Sequence, residues 1–269
     1  MIDAHCHLQL LAKKVPLDLV LSRARSAGLS CIVSCACSVS DWTSPIEITS
    51  PDLPKLSQQY GIHPWWVEED RPSDWISQLR QILISNPNSG VGEIGLDKNK
   101  KSLIPFDVQI DTFLPQFRLA HELGRTVTIH CVNAYGLLVE LLREEHKTTG
   151  WPPFVVIHSY SGSGEIIDQL MKISRTQIFF SVSGQCPRDA VIPFIPLDNL
   201  LIETDSPDQQ VVIEAGGPHH VPPLLLDPKV NDPSQLWHVA NRVAKAMGKE
   251  VECIVDVTTK NAKKVFTLE

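Results

Sequence analysis

Residues 90–97 read Gly90-Val91-Gly92-Glu93-Ile94-Gly95-Leu96-Asp97, a short apolar run of β type with a carboxylate set into it. The arrangement recurs along the chain. A first run ends in His5-Cys6-His7, His130 follows Val127-Thr128-Ile129, His158 follows Val155-Val156-Ile157, and Asp205 follows Leu201-Ile202-Glu203-Thr204. Taking all such runs together, candidate strands begin near Met1, Cys31, Gln58, Gly90, Thr126, Phe154, Gln177 and Leu200, so neighbouring starts lie 23 to 36 residues apart. One strand and one helix fill such an interval. Eight units in succession predict an α/β chain folded as a single closed (β/α)8 TIM barrel, with the active site at the C-terminal ends of the strands.

Helical stripes fill the intervals. Leu17, Val20, Leu21 and Ala24 fall on one face and Gly28 follows as a stop; Leu236, Val239, Ala240 and Val243 repeat the pattern before Gly248. Leu137, Leu138, Leu141 and Leu142 predict another helix, and Ile110, Phe113, Leu114 and Phe117 a fourth. Pro115 sits inside that last stripe, where a missing N–H predicts a kink or a shortened helix. Pro187, Pro193 and Pro196 leave room only for a short helix between the seventh and eighth strands.

A chain of 269 residues suits one barrel domain over 1–269, and 43% hydrophobic with 20% charged residues describes a soluble core-forming protein. No apolar run is long enough to predict a membrane span. The N-terminus lacks the basic and apolar regions of a signal peptide, and no Asn-x-Ser/Thr acceptor occurs. Seven cysteines without tandem spacing read as reduced thiols, which together place the expected compartment in the cytoplasm, with the nucleus also open. Cys31, Cys35 and Cys37 fall on one predicted strand and read as core thiols rather than zinc ligands. A net charge of −7 argues against a protein that coats nucleic acid through bulk electrostatics. It leaves open an enzyme whose metals supply the positive charge. No glycine-rich phosphate loop is present, so no nucleotide cofactor is expected.

His5 and His7, two residues apart on a strand, project to one face, and a pair of imidazoles is a natural start to a divalent metal site. Glu93, His130, His158 and Asp205 stand on further strands of the same barrel, and all four are metal-ligand types. Together the six predict a metal pocket. Asp205 is the candidate for orienting a nucleophile or taking its proton. Glu203, two residues earlier, would share its face and hold a ligand histidine, or be a buried polar partner elsewhere. His219-His220, in a Pro/Gly-rich loop, and His121 and His238, in helical stretches, carry no spacing that supports ligation.

His5-Cys6-His7, Gly61-Ile62-His63-Pro64, Gly92-Glu93-Ile94-Gly95-Leu96-Asp97, Ile129-His130-Cys131, His158-Ser159-Tyr160-Ser161-Gly162 and Glu203-Thr204-Asp205-Ser206-Pro207 resemble, in order, the signature blocks of the TatD family of metal-dependent deoxyribonucleases. Asn231-Asp232-Pro233 and Asn261-Ala262 look like its closing blocks, so the resemblance spans the chain. It implies two divalent ions (Zn, Mn or Mg): one on His5, His7 and Asp205, the other on His130 and His158, with Glu93 bridging. The implied reaction is hydrolysis of DNA phosphodiesters, on single strands or ends, with Asp205, Glu93 and His63 in catalytic roles and His63 facing the substrate phosphate. Trp65 and Trp66 on the loop after His63 either stack bases or close the barrel mouth. Lys98, Lys100 and Lys101 either receive phosphates or stay solvated.

Three positions depart from the family pattern. Val132 stands where an arginine is usual, Val230 where a basic residue is common, and Trp65 where a histidine is frequent. All three remove polar groups near the substrate. Two alternatives therefore stand beside the nuclease: a hydrolase of another amide, ester or small phosphodiester, and a metal- or partner-binding barrel with little turnover.

Overall fold

The Val-, Ile- and Cys-rich runs become strands in a computed structural model of the chain, which describes residues 1–43, 46, 50–67, 72–211 and 229–268. The strands are β1 (Ile2–Cys6), β2 (Cys31–Cys35), β3 (Lys55–Tyr60), β4 (Gly90–Asp97), β5 (Val127–Val132), β6 (Val155–Ile157), β7 (Ile178–Val182) and β8 (Leu200–Ile202). Each lies next to its neighbour in sequence, in one eight-stranded sheet ordered β1 to β8. The β1–β2 pairing and those from β3 through β7 are parallel. This is the (β/α)8 barrel expected from the sequence. Apart from β3 and Val132, every strand residue is buried, as strands covered on both faces must be. The first strand residues fall within three positions of the expected ones, with β3 beginning earlier, at Lys55.

The helices are α1 (Leu8–Leu11), α2 (Leu17–Ser26), α3 (Val39–Trp42), α4 (Trp75–Ser85), α5 (Phe106–Glu122), α6 (Tyr135–Thr148), α7 (Gly164–Met171), α8 (Leu236–Met247) and α9 (Val251–Val265). α2 buries Val20, Leu21 and Ala24, and α8 buries Leu236, Val239, Ala240 and Val243 before Gly248 ends it in the left-handed conformation, φ 60°. α6 is rotated from its leucine stripe: Leu138, Val139, Leu142 and Glu145 are buried, and Arg118 pairs with that glutamate. Between β7 and β8 the described residues form only two 3-10 helices, Asp189–Phe194 and Leu197–Asn199.

Pro115 does not shorten its helix. α5 runs unbroken for 17 residues, because Gln109, Thr112 and Phe113 before the proline and Gln116, Phe117 and Ala120 after it are all buried. Packing on both sides outweighs one lost hydrogen bond. Gln109 and Gln116 also serve as stand-ins for a neighbouring strand. The Gln116 amide accepts from Ile62 N (2.8 Å) and donates to Ile62 O (3.2 Å). Gln109 does the same for Asp97, at 2.7 and 3.1 Å. Backbone groups that pass the end of the sheet are thus satisfied by side chains.

By internal contacts the chain divides into two units: Met1–Ser34, Ile46–Ser57 and Ser181–Glu269 in the first, and Cys35–Pro45 and Gln58–Phe180 in the second. Among the described residues no helix is long and apolar enough to cross a membrane.

Candidate metal centre

In the first unit, β1 and the chain after β8 carry three donors. The β1–β2 register steps from Asp3↔Ile32 to Cys6↔Ser34, so β1 has one extra residue in the stretch that contains His5. Such a bulge re-aims a side chain. Asp205 N–H donates to His5 O (3.0 Å) and His7 N–H to Ser206 O (2.8 Å), which ties the loop after β8 to β1. Asp205 adopts φ 51°, a left-handed conformation that aspartate tolerates better than most residues. Strand alternation therefore ends before Asp205, and the shared face expected for Glu203 has no backbone to define it. Glu203 is fully buried and its N–H donates to Val182 O.

His5 Nε2 and His7 Nε2 lie 3.3 Å apart, and Asp205 Oδ1 lies 3.5 Å from the first and 3.6 Å from the second. Bonds of about 2.0–2.2 Å to a tetrahedral ion put its ligands about 3.3–3.6 Å apart. The triangle has the dimensions and donor chemistry of a divalent-metal site. Gln209 fixes it from behind: its amide donates to Asp205 Oδ2 (2.7 Å), while Ser183 Oγ donates to the Gln209 carbonyl oxygen (2.6 Å). Below lies Asp3, which accepts from Thr204 N (2.9 Å) and Thr204 Oγ1 (2.6 Å). Burial raises the Asp3 carboxyl to about 8, against the hydrogen bonds from Thr204. Asn231 Nδ2 donates to Thr204 O (2.8 Å) and Asp208 O (2.9 Å), so the Asn-Asp-Pro block braces the same loop.

The second unit holds Glu93, His130, His158 and His63. The β4–β5 register steps from Val91↔Val127 to Ile94↔Ile129, which places a second one-residue bulge at Gly92-Glu93. Glu93 Oε1 lies 2.6 Å from His158 Nε2, 2.8 Å from His130 Nδ1 and 3.3 Å from His63 Nε2. His130 Nδ1 and His158 Nε2 are 3.3 Å apart. All four side chains are almost wholly buried.

Hydrogen bonds at the far ring nitrogens sort these histidines. His130 Nε2 faces Asp97 Oδ2 at 3.3 Å. A proton on Nε2 satisfies that carboxylate, and Nδ1, 2.8 Å from Glu93 Oε1, then donates to Glu93 when the ring is protonated or would offer its lone pair to an ion bound there. His63 differs: Nδ1 accepts the Trp65 N–H (3.1 Å), so a neutral ring carries its proton on Nε2. His63 offers a donor rather than a lone pair. The charged forms follow the same contacts. Burial works against the His130 imidazolium, but hydrogen bonds to Asp97 and Glu93 raise its pKa overall. Burial likewise opposes ionisation of Asp97, yet His130, the Trp65 indole and Asn99 N–H lower it to about 2.

Of the residues expected to contact substrate, Trp65 donates its indole N–H to Asp97 Oδ2 (2.6 Å) and carries Lys100 Nζ 4.4 Å from its ring centroid. Lys98 is exposed, and Lys101 packs over Phe106 instead. Val132 is half-buried and pairs in register with Asp97, and Val230 is buried. Cys31, Cys35 and Cys37 are buried free thiols, as expected. His121 Nδ1 bonds Trp151 O (2.8 Å) in a structural contact. His219 and His220 lie outside the described residues. Sequence reasoning missed Asp97 and Gln209 as the groups that hold His130 and Asp205. Asp97 closes the opening stretch and carried a readable signal, whereas nothing in the sequence around Gln209 marked it.

The family model for TatD related DNase matches residues 2–267. The chain belongs to the TatD family. It is 25% identical over 264 residues to the 3'-5' ssDNA/RNA exonuclease TatD of Edwardsiella piscicida, covering 93% of this chain and 92% of that protein. It is 28% identical over 276 residues to the uncharacterized metal-dependent hydrolase YabD of Bacillus subtilis (strain 168), covering 99% and 98%. Among solved structures, a TatD family hydrolase from Entamoeba histolytica matches with a TM-score of 0.83 at 20% identity, covering 100% of this chain and 98% of that one. The TatD homologue YJJV of Escherichia coli k12 gives 0.79 at 22%, with the same coverage. Both share the fold. Family membership makes this TatD protein a metal-dependent hydrolase of the DNase type, the activity expected from its sequence.

Proposed function

We propose that the chain works as one two-metal hydrolase domain that cleaves phosphodiester bonds of DNA, acting on single strands or on ends. His5, His7 and Asp205 would hold one divalent ion (Zn, Mn or Mg) and His130 and His158 the second, with Glu93, by the family resemblance, a further ligand. The observation that carries the reading is the sorting of the histidines. His5 and His7 turn their Nε2 atoms toward Asp205, and His130 turns Nδ1 toward Glu93, while His63 has its Nδ1 spent on a backbone N–H. His63 then donates to a phosphate oxygen. Asp205 orients the attacking water through Oδ1, because Gln209 occupies Oδ2. Paired divalent ions in such a site supply a water of lowered pKa and positive charge for both oxygens of an in-line displacement. Relatives named as 3'-5' ssDNA/RNA exonucleases support a single-stranded substrate approached from an end. Seven free cysteines, five of them buried, support a cytoplasmic or nuclear setting.

The test is cleavage of single-stranded DNA, double-stranded DNA, RNA and a generic phosphodiester with Mn, Mg or Zn, beside Glu93→Gln and His158→Ala. Metal-dependent cleavage by the parent and its loss in both variants is the expected result. Bound metal without turnover by the parent would replace the nuclease with a binding protein, and cleavage of amides or lactones alone would move the chain to another hydrolase class.

A further inference from the structure

We propose that Trp65 is a positioning and specificity residue of this centre: its indole N–H fixes the carboxylate that orients His130, and its ring holds the Lys100 ammonium for a phosphate flanking the one cleaved. The proposal rests on the nuclease reading above and deepens it.

Trp65 is 43% exposed, unusual for so large an apolar ring, and its contacts account for that position. Its Nε1 donates to Asp97 Oδ2 at 2.6 Å, the same oxygen that faces His130 Nε2 at 3.3 Å. The other carboxylate oxygen of Asp97 accepts Asn99 N–H at 2.7 Å, which caps the 3-10 turn Lys98–Lys100. The backbone of Asp97 is clamped by Gln109. One aspartate thus sets the tautomer of His130 and starts the turn that presents Lys100. Without the indole, Oδ2 would answer to His130 alone and could swing on its remaining bonds.

Trp66 stacks beside Trp65 at 5.8 Å, and Lys100 Nζ sits 4.4 Å from the Trp65 centroid. Among the described residues no carboxylate forms an ion pair with Lys100. A cation on an exposed aromatic face is held only weakly, so it yields readily to a stronger partner. Nucleic-acid phosphate is that partner. His63, the proposed donor to the reacting phosphate, lies with its ring 5.2 Å from Trp65, so Lys100 meets a neighbouring phosphate of the same strand. The preferred substrate is therefore an oligonucleotide rather than an isolated diester.

Trp65→Phe keeps a ring and deletes the N–H, Lys100→Met keeps a long side chain and deletes the charge, and Asp97→Asn supports the first. Mn(II) affinity is read by calorimetry. KM is read with a short single-stranded oligonucleotide and with bis-para-nitrophenyl phosphate, and oligonucleotide binding by fluorescence anisotropy. Trp65→Phe and Asp97→Asn should weaken Mn(II) binding about tenfold, the low end for partners of a metal ligand. Lys100→Met should bind Mn(II) as the parent does and raise KM about tenfold more for the oligonucleotide than for the diester. Its binding should also lose about 0.7 from the salt slope, one phosphate's share on single strands. Parent-like Mn(II) affinity in Trp65→Phe, or equal effects of Lys100→Met on both substrates, overturns the proposal. If the parent cleaves neither substrate, the nuclease reading fails by itself, and the Mn(II) and anisotropy measurements still decide the role of Trp65 and Lys100.

Discussion

The two units solve the same problem with different geometry. In the first, His5, His7 and Asp205 stand 3.3 to 3.6 Å from one another, the edge length of a coordination shell. In the second, three imidazole nitrogens converge on one oxygen of Glu93 at 2.6 to 3.3 Å, at hydrogen-bonding distance. The first cluster is spaced by backbone: a bulge in β1, and a left-handed Asp205 tied to β1. The second is drawn together by charge, because one buried carboxylate has several donors to satisfy. Spacing set by backbone survives the loss of a side chain, while a cluster gathered on one carboxylate does not.

The largest effect should follow from that difference. Glu93→Gln removes the charge on which the second cluster converges, and cleavage should fall by at least about 1000-fold, since partners outside the ligand set alone cost 10–100-fold. His158→Ala should cost one bound ion per chain and His7→Ala the other, as counted by plasma mass spectrometry. The remaining first-unit donors should stay in place in His7→Ala, so that variant should regain metal when Mn(II) is raised. His158→Ala leaves Glu93 with His130 and His63 and should not regain it. Equal recovery by both would break the contrast.

Next comes Gly95, at φ 147°, where an added Cβ would stand 1.9 Å from His130 O. Gly95→Ala should destabilise the chain by about 3 kcal/mol, through overpacking against a backbone that cannot yield, and be read as a lowered urea midpoint. A smaller and purely local effect is expected at Gln209. Gln209→Leu frees Asp205 Oδ2 without touching β4 or β5, and should weaken one metal about tenfold with little change in stability.

Legibility in the sequence followed from what each feature depends on. Strand positions were legible because apolar β runs and the spacing between them are local properties, and all eight strands emerged near their expected starts. All six proposed metal-ligand positions were legible through their residue types and places. What stayed hidden was everything set by register. The one-residue bulges at His5 and Glu93 exist only relative to a neighbouring strand. Pro115 misled for the same reason, since a helix held on both sides by packing tolerates what an isolated one would not. Trp65 is the instructive case. Read as a lost histidine, it looked like a defect, whereas its indole N–H reaches Asp97, thirty-two residues away in sequence.

The smallest effect separates Glu93 from a structural glutamate in the same unit. Glu145 is as deeply buried as Glu93, but its partners are the two nitrogens of one guanidinium: Arg118 Nε at 3.0 Å and Nη2 at 2.6 Å. Those hydrogen bonds, against the opposing cost of burial, lower the Glu145 carboxyl below its ordinary value. A group with a depressed folded pKa stabilises the fold above its unfolded value, near 4.3, and loses that contribution as pH falls through the folded one. Because the Arg118 side chain is 49% exposed, the pair should contribute no more than about 1 kcal/mol. Glu145→Gln should therefore lower stability by about that amount at pH 7 and by almost nothing at pH 3, with metal binding untouched at either cluster. A loss of metal in this variant would mean that α5 and α6 transmit strain to β4 and β5, and that the second cluster depends on its scaffold as closely as the first does.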